Sequence, residues 1–215
     1  MALEARLLAI HDIPSRICHD VHRLVAELKP NIVLLCGGLH ECYTLYHIPV
    51  PGALAGVNAL GDDIYEIRAL KERGAYIAGR WLCHDFENSR LCIGGVDALN
   101  HFQNLKRLIA NPPEKPDLVI VLSYYPPRES SCSTIELATG HRVSIGIAKL
   151  VDEIRKAVDG APMILISCHP RLRALCVEKA RSYIHVTLGT TPISLLEIYV
   201  DGSEVTLREL RAIEV

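Results

Sequence analysis

The sequence predicts a mixed α/β protein with two sheets, and three features of the chain indicate it. Short apolar runs of strand length alternate with stretches of helical periodicity, a pattern typical of parallel strands joined by helices. Residues 16–28 place Ile17, Val21 and Leu24 on one helical face between two such runs. The end of the chain, over residues 183–188, 194–200 and 204–210, instead reads as successive strands and predicts a terminal β-meander.

The remaining elements follow in order along the chain. Strands are predicted over residues 6–10, 32–36, 90–93, 117–123 and 162–167, with a short one within residues 48–54. Helices are predicted over residues 16–28, 62–73, 97–110 and 146–159, and residues 171–181 read as a solvated helix face. Because no repeat or long linker interrupts this order, we expect a single domain over residues 1–215.

Composition excludes several classes of protein. The 215 residues are 49% hydrophobic and 22% charged, which is globular and not disordered. A net charge of −2 argues against a nucleic-acid-binding polycation, and the apolar runs are too short to span a membrane. The N-terminal run does not resemble a signal peptide, so we expect a cytoplasmic protein.

The eight cysteines form no C-x-x-C pair, which argues against a zinc ribbon or a thioredoxin-type site. Several lie in apolar runs, where free cysteine packs as a small hydrophobe. The chain also has one glutamine, Gln103, and two methionines, a scarcity of thermolabile side chains that indicates a hyperthermophile. Intracellular disulfides occur in such organisms, and Cys83 with Cys92 is a candidate pair.

Polar and glycine-rich segments follow the predicted strands, where open α/β sheets bind their ligands. His11 and Asp12 follow the first strand, and Gly37-Gly38 precede His40 and Glu41 after the second. Further along the chain come Asn58, then Tyr124 within SYYPP, and then His169 and Arg171.

This order of strand-end motifs resembles the calcineurin-like metallophosphoesterase family over almost the whole chain. The stretch CIGGVDALNHFQNLKRL, followed by a strand and SYYPP, is similar to its small, single-domain archaeal branch. The resemblance implies a four-layer α/β/β/α sandwich of two mixed sheets with two metal ions at the strand ends. The family's motifs are Asp-x-His, Gly-Asp-x-x-Asp/Glu, Gly-Asn-His-Asp/Glu, a histidine in a Ser-His-x-Pro-Pro-like turn, and Gly-His-x-His.

The family pattern is only partly kept. Asp12, Glu41, Asn58 and His169 match metal ligands, so we treat them as vestigial candidates. Four ligand positions hold other residues, namely Pro14, Gly38, Tyr124 and Arg171. Asn58 fits the third motif if Val57 is an insertion, and otherwise Gly61-Asp62-Asp63 fills that place.

These replacements predict a degenerate metal site. Two neighbouring divalent cations need a shared anionic ligand and further N or O donors, which Pro14 and Gly38 lack. Arg171 remains charged and repels cations. His11 and His40 are alternative ligands for a mononuclear site. Arg171 and Arg16 are candidates for binding an anion without metal, because guanidinium groups bind phosphate bidentately.

Three functions remain open at this stage. The first is a non-catalytic pseudoenzyme with a binding or regulatory role, whose partner is a phosphate-containing small molecule or a protein. The second is an active phosphomonoesterase or phosphodiesterase with a rearranged or mononuclear site using Mn²⁺, Ni²⁺, Fe or Zn²⁺. The third is a structural homo-oligomer whose partner contacts close the old cleft. We expect no nucleic-acid or membrane partner.

Overall fold

The computed structural model describes residues 2–39, 42–50, 52–62, 64–86, 89–180, 183–201 and 204–213. Its strands are β1 (Ala2–Ile10), β2 (Ile32–Leu35), β3 (Ala53–Gly56), β4 (Trp81–Phe86), β5 (Ser89–Val96), β6 (Leu118–Ser123), β7 (Thr134–Glu136), β8 (Arg142–Ser144), β9 (Met163–Ser167), β10 (Cys176–Ala180), β11 (Tyr183–Thr187), β12 (Ile193–Asp201) and β13 (Glu204–Ala212). Its α-helices are α1 (Cys18–Leu28), α2 (Ile64–Glu72), α3 (His101–Ala110) and α4 (Leu150–Ala157).

Two mixed sheets form the body of the protein, as the sequence predicted. The first has the order β13-β12-β1-β2-β3, with β1, β2 and β3 parallel and β12 antiparallel to β1. The second has the order β10-β11-β9-β6-β5-β4, parallel in its centre with an antiparallel strand at each edge. Strands β7 and β8 form a separate hairpin. Parallel centres direct several strand ends toward one edge, where the site lies.

The alternation of side chains along β1 shows how the layers stack. Leu7 and Ala9 join a core shared by both sheets, whereas Leu8 and Ile10 join a core between the first sheet and its helices. Helix α1 covers that outer face with buried Val21 and Val25. A third core packs α3 and α4 on the second sheet. The result is the predicted four-layer α/β/β/α sandwich.

Two predictions for the C-terminal third were wrong. Residues 176–180 form strand β10, antiparallel to β11, where we expected a helix face. The predicted terminal meander is also divided between sheets, because β11 lies parallel to β9 while β12 and β13 pair in the first sheet. Apolar alternation identifies a strand but does not say which sheet it joins.

Strand β5 is longer than predicted and runs through Gly94 and Gly95. The unpredicted strand β4 explains why glycine is needed there. A Cβ atom at Gly94 would lie 2.6 Å from the ring of Trp81, its cross-strand neighbour. The glycine therefore makes room for an aromatic ring and does not end the strand.

The structure pairs all eight cysteines, so the expectation that several act as free hydrophobic residues was wrong. The pairs are Cys18–Cys42, Cys36–Cys168, Cys83–Cys92 and Cys132–Cys176. Cys83 and Cys92 face each other across β4 and β5, as the candidate pair required. Cys36 follows β2 and Cys168 follows β9, so their bond links the two sheets at the strand ends.

Among the described residues, no helix combines the length and apolarity needed to cross a lipid bilayer.

Candidate functional site

The ends of β1, β2 and β9 meet at a small cavity of about 60 Å³, which we call the strand-end cleft. Its lining consists of His11, Asp12, Cys36, Gly37, Gly38, Ala59, Leu60, Tyr124, Cys168 and Pro170. The structure thus brings two candidate ligands, His11 and Asp12, beside two lost-ligand positions, Gly38 and Tyr124. His40, Glu41 and Asp63 lie outside the described residues.

Gly38 occupies a position where no side chain fits. Its φ of +64° disfavours L-residues, and a Cβ there would lie 2.9 Å from the Cα of Asp12. The space in front of Gly37 is filled as well, since a Cβ at Gly37 would lie 2.3 Å from an oxygen of Asp62. The backbone at Gly37 and Gly38 therefore packs directly against Asp12 and Asp62.

Asp62 supplies the carboxylate that fills this space. Its Oδ1 accepts a hydrogen bond from the backbone N–H of Gly38 at 2.7 Å. Its Oδ2 accepts one from the backbone N–H of Ala59 at 2.6 Å. Asp62 belongs to the alternative third motif of the sequence, and both of its oxygens are engaged by main-chain donors.

Asn58, which the other alignment of the third motif uses, is buried in a polar network. Its Oδ1 lies 2.8 Å from the hydroxyl of Tyr76, which lies 3.0 Å from Oδ2 of Asp97. Burial, and then Asp97, raise the pKa of Tyr76 far above its usual value, so the hydroxyl keeps its proton. Asp97 Oδ1 also accepts the backbone N–H of Asn100 at 2.7 Å. The Nδ2 of Asn58 has no hydrogen-bond partner among the described residues.

His11 and Tyr124 form the buried walls of the cleft. Burial lowers the pKa of His11, opposed by a backbone hydrogen bond with Thr191 and by Asp12, so the imidazole is neutral. Its Nε2 has no partner within the described chain. Burial, followed by nearby Tyr125 and Asp12, raises the pKa of Tyr124. The ring of Tyr124 lies edge-on to Tyr125 with 5.0 Å between centroids.

His169 lies beside the cleft, 5.2 Å from the Tyr124 ring by centroids. Burial first, and then the Arg171 cation, lower the pKa of His169. Its Nδ1 accepts the backbone N–H of Arg171 at 3.2 Å. Pro14 precedes a 3-10 turn over Ser15–Ile17 that contains exposed Arg16. This turn leads into α1.

The described residues do not fit a dinuclear metal centre. Within the part of the chain described, no group of three or more His, Cys, Asp or Glu side chains is placed to hold a metal ion. Gly38 provides no bridging carboxylate, and the oxygens of Asp62 already bind two amides. The Tyr124 hydroxyl, whose pKa is raised, keeps its proton, and the Arg171 cation is next to His169.

A larger cavity of about 580 Å³, which we call the arginine pocket, is lined in part by the loop after β9. Its lining consists of Ser131, Cys132, Thr134, Ile135, Glu136, Arg142, Arg171, Leu172, Arg173 and Cys176. Arg171, an anion-binding candidate, lies here, but Arg16 does not line it. Sequence reasoning missed Arg142, because the β7–β8 hairpin that carries it was not predicted.

A buried histidine on β11 was also missed. His185 Nδ1 lies 2.6 Å from Ser130 Oγ, and its Nε2 lies 2.9 Å from Ser167 Oγ. Burial lowers the pKa of His185 to about 4, opposed by Glu178. Glu178 in turn accepts the backbone N–H and the hydroxyl of Ser131, each at 2.6 Å. The signal in the sequence was a histidine inside an apolar strand, which requires hydrogen-bond partners when buried.

Comparison with known proteins identifies the fold. No protein-family model matches the chain, and no curated protein matches it. Among solved structures, TT1561 of Thermus thermophilus is similar, with 13% identity and a TM-score of 0.60 over 95% of this chain and 98% of that one. A putative 5′-nucleotidase from Staphylococcus aureus, in complex with α-ketoglutarate, gives 9% identity and a TM-score of 0.59.

The match to the nucleotidase covers 99% of this chain but only 55% of that one. At such identities the likeness establishes architecture and not activity. The strand-end motifs resemble those of the calcineurin-like metallophosphoesterases. The two sheets with their covering helices, and these structural neighbours, agree with that resemblance. The chain has the fold of the calcineurin-like metallophosphoesterases.

Proposed function

We propose that this protein is a non-catalytic relative with a binding or regulatory role, a degenerate metal site and a pocket for a phosphate-containing or other anionic ligand. The observation that carries the proposal is the pairing of Asp62 with Gly38. Where the family has a bridging carboxylate, this chain has a glycine without space for a side chain. A neighbouring carboxylate is instead bound to the glycine's own amide.

Metal chemistry explains why this arrangement disfavours catalysis. A dinuclear hydrolase needs two cations a few ångströms apart, and their mutual repulsion is offset by a shared anionic ligand. Loss of a single supporting interaction weakens metal binding by roughly ten- to a hundredfold. Four family ligand positions are altered together here, at Pro14, Gly38, Tyr124 and Arg171.

Metal content and turnover test this proposal together. The protein is produced with Mn²⁺ or Ni²⁺, dialysed, and its metal content is measured by elemental analysis. Hydrolysis of bis-p-nitrophenyl phosphate is then followed with and without a chelator. We expect well under one equivalent of metal and no turnover that a chelator abolishes. One or two bound equivalents, with chelator-sensitive hydrolysis, would overturn the proposal.

A second candidate is an active metal-dependent phosphoesterase with a rearranged or mononuclear site. Buried His11 favours it, because its Nε2 has no partner in the described part of the chain and it lines the cleft with Asp12. His169, Glu41, Asn58 or His40 would complete the donor set, and Mn²⁺, Ni²⁺, Fe or Zn²⁺ would polarise a phosphoryl oxygen. Chelator-sensitive hydrolysis that His11→Gln abolishes would support this candidate over the first.

The chain's setting is part of the proposal. We infer a cytoplasmic protein of a hyperthermophilic archaeon. The single glutamine supports the hyperthermophile, and the four disulfides are compatible with an intracellular protein in such an organism. A thermal midpoint above about 90 °C is expected on this basis. The proposed binding role includes a protein partner or a second copy of this chain. Light scattering measures the oligomeric state.

A further inference from the structure

We infer that the arginine pocket, and not the strand-end cleft, binds the ligand, and that this ligand is a small organic molecule with two phosphate groups held on opposite walls. The inference rests on the proposed binding role and names its site and ligand class. Four features support it: the arrangement of the walls, their charge, the size of the pocket and its apolar lining.

Two separate segments form the walls. One is the β7–β8 hairpin, which contributes Thr134, Ile135, Glu136 and Arg142. The other is the loop between β9 and β10, which contributes Arg171, Leu172 and Arg173. The Cys132–Cys176 disulfide lies in the lining and joins the segment before β7 to the start of β10. Arginines therefore face the pocket from two segments that a covalent bond holds together.

The charge of the lining favours an anion. Three arginines face it with one acidic residue, Glu136. Arg142 lies 3.8 Å from Glu136, and both side chains are well exposed, so this ion pair is weak and exchangeable. For Arg171 and Arg173, no carboxylate in the described part of the chain lies within ion-pair distance. These guanidinium groups are available for bidentate binding of phosphate oxygens.

Size and lining favour an organic ligand over inorganic phosphate. A volume of about 580 Å³ lies within the range of roughly 300–1,000 Å³ that is typical of pockets for organic ligands. The strand-end cleft, at about 60 Å³, is far smaller. Ile135, Leu172 and the disulfide add apolar groups to the same lining. A molecule with a carbon body and a phosphate at each end matches this distribution.

Calorimetric titration with a matched series of sugars tests the inference. Fructose 1,6-bisphosphate, fructose 6-phosphate and fructose share one body and differ in the number of phosphates. We expect the bisphosphate to bind at least tenfold more tightly than the monophosphate, and fructose to give no heat. Binding should weaken as ionic strength rises, because exposed guanidinium groups are screened by salt.

Variants on each wall locate the ligand. Arg142→Ala and Arg173→Ala should each weaken bisphosphate binding at least tenfold. The affinity of Arg142→Ala for the bisphosphate should then be close to its affinity for the monophosphate. Glu136→Gln should tighten binding several-fold, since it removes the carboxylate that competes for Arg142. Arg68→Ala is the matched control, because Arg68 is exposed on α2 and pairs with Glu72. Circular dichroism checks that each variant is folded.

Different failures have different meanings. If Arg16→Ala abolishes binding while Arg142→Ala and Arg173→Ala do not, the anion binds elsewhere. The inference is then wrong and the binding role stands. Equal affinity for mono- and bisphosphate overturns the two-walled arrangement. If no phosphate compound gives heat, both the inference and the anion-binding part of the proposed function fail, whereas the metal and turnover measurements still decide catalysis.

Discussion

Gly38, in the lining of the strand-end cleft, donates its backbone N–H to the carboxylate of Asp62 at 2.7 Å. The second oxygen of Asp62 accepts the amide of Ala59 at 2.6 Å. One carboxylate thus connects the loop after β2 with the loop after β3. The Asp62 carboxylate is therefore a structural acceptor for two main-chain donors.

Replacing Asp62 should destabilise the protein. Asp62→Ala leaves two backbone donors without their acceptor, and we expect a loss of about 2 kcal/mol in the free energy of unfolding. Asp62→Asn keeps one acceptor oxygen and should lose about half as much. Urea denaturation measures both. Asp85→Ala, at an exposed position on β4, should change stability by less than about 0.5 kcal/mol. An equal loss in Asp62→Ala and Asp85→Ala would contradict this role.

Introducing an aspartate at Gly38 should not create a metal site. Gly38→Asp and Gly38→Ala both place a Cβ near the Cα of Asp12 in a backbone with positive φ. We expect a loss of about 1–2 kcal/mol from the backbone and at least about 1 kcal/mol more from the contact. Metal content of Gly38→Asp should remain unchanged.

Gly74→Ala separates the two contributions to that loss. Gly74 has a φ of +68°, close to that of Gly38, but a Cβ there meets nothing within 4 Å. It should therefore show the backbone cost alone. If Gly38→Ala and Gly74→Ala are equally stable, the crowding at Gly38 is not real. If Gly38→Asp binds a full equivalent of Mn²⁺, the cleft is more adaptable than the structure indicates.

Buried His185 should make stability fall at acidic pH. Its pKa is lowered to about 4 in the folded protein, against an ordinary value of 6.5, so the unfolded chain binds the proton first as pH falls. The stabilisation is complete above about pH 6.5 and is lost progressively toward pH 4, by up to about 3 kcal/mol. Chemical denaturation at a series of pH values measures it.

His185→Gln should be less stable than the parent at pH 7, and this difference should shrink as pH falls to 4. His141→Gln, which alters an exposed histidine, is the control and should follow the parent curve. The slope of stability against pH arises from proton uptake at residue 185 of the unfolded chain. Parallel curves for the parent and His185→Gln would therefore refute it.

The disulfide between the sheets should contribute more stability than the one within a hairpin. Cys36 and Cys168 are 132 residues apart, whereas Cys83 and Cys92 are nine apart. The chain-entropy model gives the longer loop about 2 kcal/mol more stabilisation. Cys36→Ala/Cys168→Ala should thus lose more than Cys83→Ala/Cys92→Ala in guanidinium denaturation.

Thiol titration of the denatured, unreduced protein accompanies that comparison. We expect no free thiol in the parent and none in either double variant. Two or more free thiols in the parent would show that the pairs are not all formed. Equal stability of the two double variants would show that loop length does not govern the contribution of these bonds.

The sequence alone predicted the fold and most of the strands and helices that build the two sheets. These features depend on residue identity and on periodicity within short windows, which the chain carries locally. The same local character explains why the length of β5 was misjudged at Gly94, because its partner Trp81 belongs to a strand that short-range patterns did not reveal.

Only the tertiary structure decided which distant residues meet. It placed the carboxylate of Asp62 on the amide of Gly38, Cys36 beside Cys168, and Arg142 on a wall of the pocket that contains Arg171. The tertiary structure also shows that β11 and β12 lie in different sheets. The physical reason is that such contacts depend on how whole layers pack, and on the space left between them, which no local pattern of residues encodes.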